Sequence, residues 1–262
     1  MITGGGGLLG RGMARAFARE GMNVVVADLR DDAAAATANE VETIGTRAIA
    51  VPTDVTDPDS MEALADRAYA EFGAVNVLCL NAGAAVLKPF VDLTREDWDR
   101  VLSVQFSGVL NGILTFLPCL LAQGGDRHIV NTSSMSGVGR ADLRVLNAPY
   151  VTAKFAVVGL TEVMAPSLAE HGIGVSVLCP GYTVADPGNV TSFAMPSAAW
   201  YEHNLMTAEP VGDEVVHAIR EDRLYIFPHR AGRGEVEGRH QRLMEGFDQA
   251  ARTSPPISEA KN

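Results

Sequence analysis

Cysteine is scarce in this sequence, and its spacing excludes two classes of protein. The 262 residues include 3 cysteines, at Cys79, Cys119 and Cys179. An odd number of widely separated cysteines cannot form the disulfide framework of a small secreted domain. Zinc ligands are usually closely spaced in pairs, which these are not, so no metal site is expected. We therefore expect three buried, inert thiols in a cytoplasmic protein.

Positive charge is also scarce. Lys and Arg number 21 against 32 Asp and Glu, so the formal net charge is -11. A protein of this charge repels nucleic acid and anionic lipid, and neither is expected as a partner. No uninterrupted apolar run approaches the roughly 20 residues that span a bilayer. The start, Met1-Ile2-Thr3, shows no secretory signal pattern.

What the sequence does contain is an alternation of two patterns. Short, continuous apolar runs predict parallel strands that are covered on both faces. These strands are predicted at residues 24–27, 48–51, 75–80, 128–132, 174–178 and 224–227. Longer segments between them predict helices at residues 9–20, 31–44, 59–72, 95–121, 150–171 and 211–221.

Strand–helix–strand repetition predicts a doubly wound, parallel α/β sheet of the Rossmann type in a single domain. We assign residues 1–251 to this domain. Residues 183–207 lack a clear period and are predicted to form a substrate-binding loop. Residues 252–262 are rich in Ser and Pro and are predicted to form a flexible tail.

A glycine-rich loop precedes the first predicted helix. The spacing Gly5-x-Gly7-x-x-Gly10 lets backbone N–H groups at a helix N-terminus approach a pyrophosphate. A merely flexible glycine loop would look the same, so the next strand matters. That strand ends at Asp28, where a carboxylate accepts hydrogen bonds from ribose hydroxyls and repels a 2′-phosphate. NAD is therefore expected, although Arg30 lies close enough to leave NADP open. The alternative for Asp28 is a solvated carboxylate at a strand end with no cofactor role.

Two further motifs suggest acid–base chemistry. Tyr150 and Lys154 are four residues apart in a predicted helix and share one face. A nearby ammonium is expected to lower the pKa of the phenol from about 10 towards neutrality. Ser134 follows the strand at residues 128–132 and could donate a hydrogen bond to a substrate oxygen. Each feature alone is common, as a surface pair or as turn chemistry, so their combination carries the prediction.

These motifs, in this order, resemble the short-chain dehydrogenase/reductase family, and in particular its shorter, single-domain members. The resemblance extends over nearly the whole chain and includes Asp54-Val55, Asn81-Ala82-Gly83 and Pro180-Gly181. It implies an NAD-dependent oxidoreductase that acts on CH–OH groups. It also implies that Tyr150 is the general acid/base and that Lys154 binds the nicotinamide ribose. Ser134 is then expected to polarise the substrate oxygen.

The resemblance also assigns the remaining site residues. The catalytic set it implies is Ser134, Tyr150, Lys154 and Gln105. The cofactor-binding set it implies is Gly4, Gly7, Gly10, Asp28, Asp54, Val55, Asn81, Gly83, Tyr150, Lys154, Pro180, Gly181 and Thr183.

Three departures from the family pattern keep an alternative open. Leu8 stands where the short members carry a glycine, so the loop reads Thr3-Gly4-x-x-Gly7-x-x-Gly10 and a side chain could crowd the pyrophosphate. Gln105 stands where the family has an asparagine that holds a water in a proton path. The strand before the loop is very short. A nucleotide-binding sensor without catalysis is thus the alternative, and an NADPH-dependent ketone reductase is another.

Substrate and assembly are predicted more coarsely. Tyr182 and, in the loop at residues 183–207, Phe193, Met195, Trp200 and Tyr201 favour a hydrophobic secondary alcohol or ketone as substrate. The same residues would also serve to anchor the loop to the core. The two longest predicted helices are apolar on more than one face. The family resemblance implies that they pair across a two-fold axis in a homodimer or homotetramer.

Overall fold

The computed structural model describes residues 1–139, 147–185, 205–229 and 232–253. The strands are β1 Ile2–Thr3, β2 Val24–Asp28, β3 Ala48–Pro52, β4 Val77–Leu80, β5 Arg127–Thr132, β6 Ile173–Leu178, β7 Tyr182–Thr183, β8 Leu205–Met206 and β9 Tyr225–Ile226. The helices are α1 Leu8–Arg19, α2 Asp31–Ile44, α3 Pro58–Phe72, α4 Arg95–Leu102, α5 Gly108–Ala122, α6 Ala148–Ala169, α7 Ala208–Arg220 and α8 Arg233–Thr253.

Seven strands form one parallel sheet in the order β3-β2-β1-β4-β5-β6-β9. The order reverses direction at β1, whose Ile2 lies between Val26 of β2 and Cys79 of β4. In an open parallel sheet, ligands bind beyond the carboxyl ends of the strands at such a reversal. The predicted Rossmann-like, doubly wound, single-domain α/β fold is confirmed. Strands β7 and β8 form a separate two-stranded sheet.

Helices cover both faces of the sheet and bury two apolar layers. On one face, Leu64 of α3, Phe116 of α5 and Val157 of α6 pack against the sheet. On the other face, Met13 of α1 and Val215 of α7 do the same. Since both faces are covered, the strands are apolar throughout, and this explains why continuous runs rather than alternating ones predicted them.

Two sequence-based expectations fail. Cys79 and Cys179 are buried, but Cys119 is exposed, so the expectation of three buried thiols is wrong. Cys119 lies near the end of α5, where that helix turns part of its surface to solvent. The second failure concerns α8, a helix of 21 residues that the sequence analysis did not predict. Its apolar residues are sparse and only its first turns pack on the domain, so its sequence lacks a strong helical period.

Two predicted segments fall largely outside the described residues. Of the predicted substrate loop, only residues 183–185 and 205–207 are described. Of the residues that suggested a hydrophobic substrate, Tyr182 is described, and Phe193, Met195, Trp200 and Tyr201 lie outside the described residues. The predicted tail at residues 252–262 lies beyond the described residues except for the last two residues of α8.

Two helical stretches are long and apolar enough to cross a membrane, by length and composition alone. They are Arg95–Ala122 and Ala148–Ala169. The sequence analysis found no apolar run of that length because polar residues interrupt both. In the structure, each helix packs one face on the sheet, through residues such as Val109 and Val157. Core helices of this kind pass the same test, and the expected absence of a membrane partner stays a prediction.

Candidate active site

The glycine loop forms a tight turn at the reversal point of the sheet. Gly4 has a φ of 62°, and a Cβ on it would lie 2.8 Å from the Ala82 Cα. A Cβ on Gly10 would overlap the carbonyl oxygen of Gly4. Glycine is therefore required at both positions, and the turn brings Gly7 to the N-terminus of α1.

The N-terminus of α1 fits a phosphate group. Gly7 is its N-cap, no side chain caps it, and its first turn holds no acidic residue. Side chains cap α3 and α4, through Asp57 and Thr94, whereas α2, α6 and α7 have no side-chain cap either, so it is the glycine loop before α1 that sets this helix end apart. Uncapped N–H groups and the helix dipole together favour an anion at this end. Leu8 is the first residue of α1 and its side chain is exposed.

Asp28 lies at the end of β2 beside this loop. One carboxylate oxygen accepts a hydrogen bond from the Gly6 N–H at 3.0 Å, and the other accepts one from the Arg30 N–H at 3.0 Å. The Arg30 Nε lies 3.7 Å from the carboxylate. Asp28 is buried and held by these two N–H groups, so its carboxylate is fixed where the ribose of a dinucleotide would lie.

Asn81 joins three strand ends. Its Nδ2 donates to the carbonyl oxygens of Thr3 at 3.1 Å and Gly4 at 3.3 Å. Its Oδ1 accepts a hydrogen bond from the Thr132 hydroxyl at 3.3 Å. These bonds connect β1, β4 and β5, so Asn81 holds the glycine loop in register with the sheet.

The Asp54-Val55 pair follows β3. The Asp54 carboxylate accepts hydrogen bonds from the N–H and the hydroxyl of Thr56, at 2.9 and 2.7 Å. Val55 is buried against Gly108, and its carbonyl oxygen accepts a hydrogen bond from the Asn111 amide at 2.9 Å. Asp54 itself is exposed at the carboxyl edge of the sheet, on the same side as Asp28.

Ser134, Tyr150 and Lys154 meet at the carboxyl end of β5. Ser134 follows that strand, and its hydroxyl hydrogen bonds with the Tyr150 phenol. The Lys154 Nζ lies 5.4 Å from the centre of the Tyr150 ring and donates to the Thr132 carbonyl oxygen at 2.7 Å. The Ser133 hydroxyl donates to the Lys154 carbonyl oxygen at 2.8 Å, which ties α6 to β5. The sequence analysis missed Ser133, although it adjoins Ser134.

Burial gives these groups pKa values that the sequence did not predict. It raises the pKa of Tyr150 above its ordinary value, and the hydrogen bond from Ser134 only partly opposes this. Burial also lowers the pKa of Lys154 to about 7. The expectation that the ammonium lowers the phenol pKa is therefore wrong for this structure. Lys154 is buried and Tyr150 is half-buried, and desolvation disfavours the charged form of each.

Gln105 lies in a π-helical turn, Ser103–Ser107, between α4 and α5. Its Nε2 donates to the Ala84 carbonyl oxygen at 2.7 Å, and a Cβ on Gly83 would lie 3.2 Å from the same nitrogen. Its Oε1 is buried without a hydrogen-bond partner among the described residues. Turns of this type are frequent at functional sites. Gln105 thus lies against the segment that follows β4, and it keeps one free acceptor.

Pro180 and Gly181 follow β6 on the other side of the site. The Pro180 carbonyl oxygen accepts a hydrogen bond from the Met135 N–H at 3.0 Å, next to Ser134. A Cβ on Gly181 would overlap the imidazole of His229, which the sequence analysis did not single out. No pattern in the sequence marks that histidine. Thr183 lies in β7, and its buried hydroxyl has no hydrogen-bond partner among the described residues.

The predicted residues thus converge on one crevice at the carboxyl edge. Gly4, Gly7, Gly10 and Asp28 line its β1–β2 side, and Ser134, Tyr150 and Lys154 its β5–β6 side. The uncapped helix end and the carboxylate beside it fit the pyrophosphate and ribose of a nicotinamide dinucleotide. In the part of the chain that the structure describes, no group of three or more His, Cys, Asp and Glu residues could hold a metal ion.

Comparison with known proteins gives the same picture. The family model described as short chain dehydrogenase matches residues 1–192. The 1-deoxy-11-beta-hydroxypentalenate dehydrogenase of Streptomyces exfoliatus is 32% identical over 264 residues, which cover 98% of this chain and 90% of that protein. A short chain dehydrogenase/reductase from Burkholderia phymatum, solved in complex with NAD, superposes with a TM-score of 0.82 at 31% identity. That match covers 100% of this chain and 96% of the other.

Another relative is a longer protein. The chain is 36% identical over 195 residues to the probable oxidoreductase EphD of Mycobacterium tuberculosis. The match covers 74% of this chain but only 32% of that protein. The similarity to EphD therefore concerns about a third of its length.

Proposed function

Since this chain belongs to the short-chain dehydrogenase family of oxidoreductases that act on CH–OH groups with a nicotinamide cofactor, we propose a specific reaction for it. The protein transfers a hydride between NAD(H) and a hydrophobic secondary alcohol or ketone. The observation that carries the proposal is the Tyr150 phenol, hydrogen bonded to Ser134 and close to the Lys154 amine, at the edge where ligands bind.

NAD rather than NADP is favoured by the carboxylate at the end of β2. Asp28 is held by two backbone N–H groups, so it cannot swing away from a 2′-phosphate without losing both bonds. The similar structure from Burkholderia phymatum contains NAD. The residues expected to hold the cofactor are the glycines of the loop, Asp28, Asp54 and Lys154. The bound nicotinamide supplies or accepts the hydride, which no side chain can do.

Tyr150 is the proposed general acid/base. Its raised pKa keeps the phenol protonated at neutral pH, ready to donate to a carbonyl oxygen during reduction. Ser134 lies within hydrogen-bond range of the same phenol and can hold the substrate oxygen against it. In the reverse direction the phenol must first lose its proton, and the Lys154 amine supplies nearby positive charge once protonated.

Gln105 is the proposed residue for returning protons to solvent. Its Oε1 is a buried acceptor without a hydrogen-bond partner among the described residues, while its Nε2 donates to the Ala84 carbonyl oxygen. A buried carbonyl oxygen of this kind is commonly paired with an ordered water, which is what a proton path needs.

A hydrophobic substrate is supported by the side chains beside Ser134. Met135, which follows Ser134 in the chain, packs in an apolar cluster with Val158, Val177 and Cys179, and the partly buried Val138 and Val236 pack against that cluster. The Streptomyces exfoliatus relative is named as a dehydrogenase of a hydroxylated pentalenate, which is consistent with such a substrate.

The decisive experiment is a coupled screen of hydrophobic secondary alcohols with NAD and with NADP. The proposal expects turnover that prefers NAD. The Tyr150→Phe variant should then lose activity by about 10²- to 10⁴-fold while it still binds NADH. NADH binding without turnover of any alcohol or ketone would favour the sensor. A preference for NADP would favour the ketone reductase.

A cytoplasmic homodimer or homotetramer is proposed on separate grounds. Leu114 and Leu121 on α5 and Val163 on α6 are exposed apolar side chains on long helices. Apolar surface of this kind is commonly covered by a second copy of the chain. A monomeric mass in light scattering would rule this out.

A further inference from the structure

The segment that follows β9 packs against the turns that follow β5 and β6. The imidazole of His229 lies so close to Gly181 that a Cβ on this glycine would overlap it. Further along, a Cβ on Gly232 would lie 2.6 Å from the Met135 Cε. Such close approaches depend on the absence of a side chain on each glycine. The chain beyond β9 is therefore in contact with both turns.

The turn formed by Pro180 and Gly181 lies beside the proposed catalytic residues. The Pro180 carbonyl oxygen accepts a hydrogen bond from the N–H of Met135, which directly follows the serine of the site. Tyr182 follows Gly181, and a negative charge on its phenol would raise the pKa of Tyr150, so the two phenols lie near each other. The hydride must pass to or from a carbon held at the Tyr150 phenol. The nicotinamide ring of a bound cofactor would thus lie beside this turn.

The position of His229 is set by a buried strand. Ile226, the last residue of β9, is fully buried, and its carbonyl oxygen accepts a hydrogen bond from the Cys179 N–H at 2.9 Å. Pro228 restricts the backbone between that strand and His229. Both ring nitrogens of His229 are buried. The imidazole is therefore packed inside the protein where it meets the glycine.

The contact with His229 restricts the backbone of Gly181. Gly181 does not have a positive φ, so its backbone conformation is open to alanine. The three atoms nearest to a Cβ at this position all belong to the imidazole of His229. Glycine is otherwise the residue with the greatest backbone freedom. The imidazole thus fills the space into which the turn would otherwise move.

We propose that His229 is a positioning residue, which holds the turn at Pro180 and Gly181 against the nicotinamide half of a bound NAD(H). This inference rests on the proposed function and adds a residue to it. His229 acts through Gly181 and needs no contact with the substrate. Its effect on rate follows from geometry, because a misplacement of about 1 Å at the reacting atoms costs up to about 10²-fold.

Binding of two probes to the full chain tests this role. NADH carries the nicotinamide, whereas ADP-ribose has the adenine, the pyrophosphate and both riboses without it. His229→Ala should raise the Kd for NADH by about 10-fold and change the Kd for ADP-ribose by less than about 2-fold. It should lower kcat by about 10- to 100-fold. His229→Gln keeps a side chain of similar reach and should retain most of the NADH affinity. His240→Ala, at an exposed position of α8, is the control and should alter neither Kd.

A double variant tests the contact itself. Gly181→Ala should raise the Kd for NADH by about 10-fold while His229 is present. In the His229→Ala background the same change should have a much smaller effect, because the overlap with the imidazole is gone. Additive effects of the two substitutions would overturn the inference.

The outcomes separate this inference from the proposed function. Equal losses of NADH and ADP-ribose affinity in His229→Ala and His229→Gln, with lowered melting temperatures, would assign His229 a purely structural role and overturn the inference. Unchanged NADH affinity in His229→Ala would overturn it as well. A wild-type protein that binds NADH but turns over no alcohol or ketone would overturn the proposed function alone. Absence of NADH binding by the wild-type protein would overturn both.

Discussion

The carboxylate of Asp28 accepts a hydrogen bond from the backbone N–H of Gly6 across 3.0 Å. This bond joins the end of β2 to the glycine loop that follows β1. The residue proposed to select the cofactor by charge therefore also shapes the loop proposed to bind its phosphates. A change at Asp28 should affect both affinity and selectivity.

The first prediction concerns cofactor choice. Asp28→Ser should lower kcat/KM for NAD by about 10- to 100-fold, because a charged hydrogen-bond acceptor is lost. It should raise kcat/KM for NADP, since Arg30 is then free to meet the 2′-phosphate. Steady-state kinetics with both cofactors measure the change. Asp32→Ser on α2 is the matched control, and an unchanged NAD preference in Asp28→Ser would contradict the prediction.

The second prediction concerns the stability cost of Lys154. Its folded pKa of about 7 lies below the ordinary value of 10.5, so the unfolded chain binds more protons between these pH values. The contribution of Lys154 to the free energy of unfolding therefore rises with pH between pH 7 and 10.5. Its burial destabilises the folded protein most below pH 7. Lys154→Met should be more stable than wild type at pH 7 by about 3 kcal/mol, after subtraction of the lost hydrogen bond, although inactive.

Urea unfolding of the protein without cofactor measures this difference. Lys88→Met provides the control, because Lys88 is partly exposed and pairs with Asp97 at 2.7 Å. That variant should gain no stability. A Lys154→Met protein less stable than wild type at pH 7 would show that the amine is stabilised rather than strained by its burial.

The third prediction concerns acid sensitivity at the opposite edge of the sheet. The His128 Nε2 hydrogen bonds with the Ser176 hydroxyl at 2.7 Å, and Ser176 donates to the Arg223 carbonyl oxygen. Burial lowers the pKa of His128 to about 4, against the partial opposition of Asp222. Between pH 6.5 and 4, His128 is thus protonated in the unfolded chain but neutral in the folded chain. Stability should fall by about 3 kcal/mol as pH drops through that window.

His128→Gln keeps a donor for Ser176 and cannot titrate. Denaturant melts of both proteins between pH 4 and 7 isolate the contribution of the histidine from that of the carboxylates. The variant should lose stability less steeply than wild type. Parallel curves for the two proteins would show that His128 does not control acid sensitivity.

The fourth prediction concerns Gln105. Gln105→Leu removes the hydrogen bond to Ala84 and should raise the dissociation constant for NADH by about 5- to 10-fold. It should also reduce kcat, since the free Oε1 is lost, and the pH dependence of kcat should change. Ser103→Ala in the same π-helical turn is the control. If only NADH affinity changed and the pH profile did not, Gln105 would position the loop without serving a proton path.

Much of the fold was predictable because each cue is local. Continuous apolar runs predicted β2, β3, β5 and β6 to within two residues at each end. The helix predicted at residues 150–171 corresponds to α6. By contrast, α8 was not predicted, because its few apolar residues form no clear helical period. Their contacts, such as that of Val236 with Gly139, exist only in the folded structure. The role of Asn81 as a link between three strands was also hidden, since its partners are distant in the sequence.

The sequence by itself determined the sheet, the glycine turn and the presence of a tyrosine and a lysine on one helical face. These features depend on residue type and on short spacings, both of which can be read directly from the sequence. Only the tertiary structure decided how those groups hold their protons and what surrounds them. Burial of Tyr150 and Lys154 results from segments far apart in the chain, and so does the position of His229 beside Gly181. Desolvation and contact are properties of the packed whole, so no local pattern could reveal them.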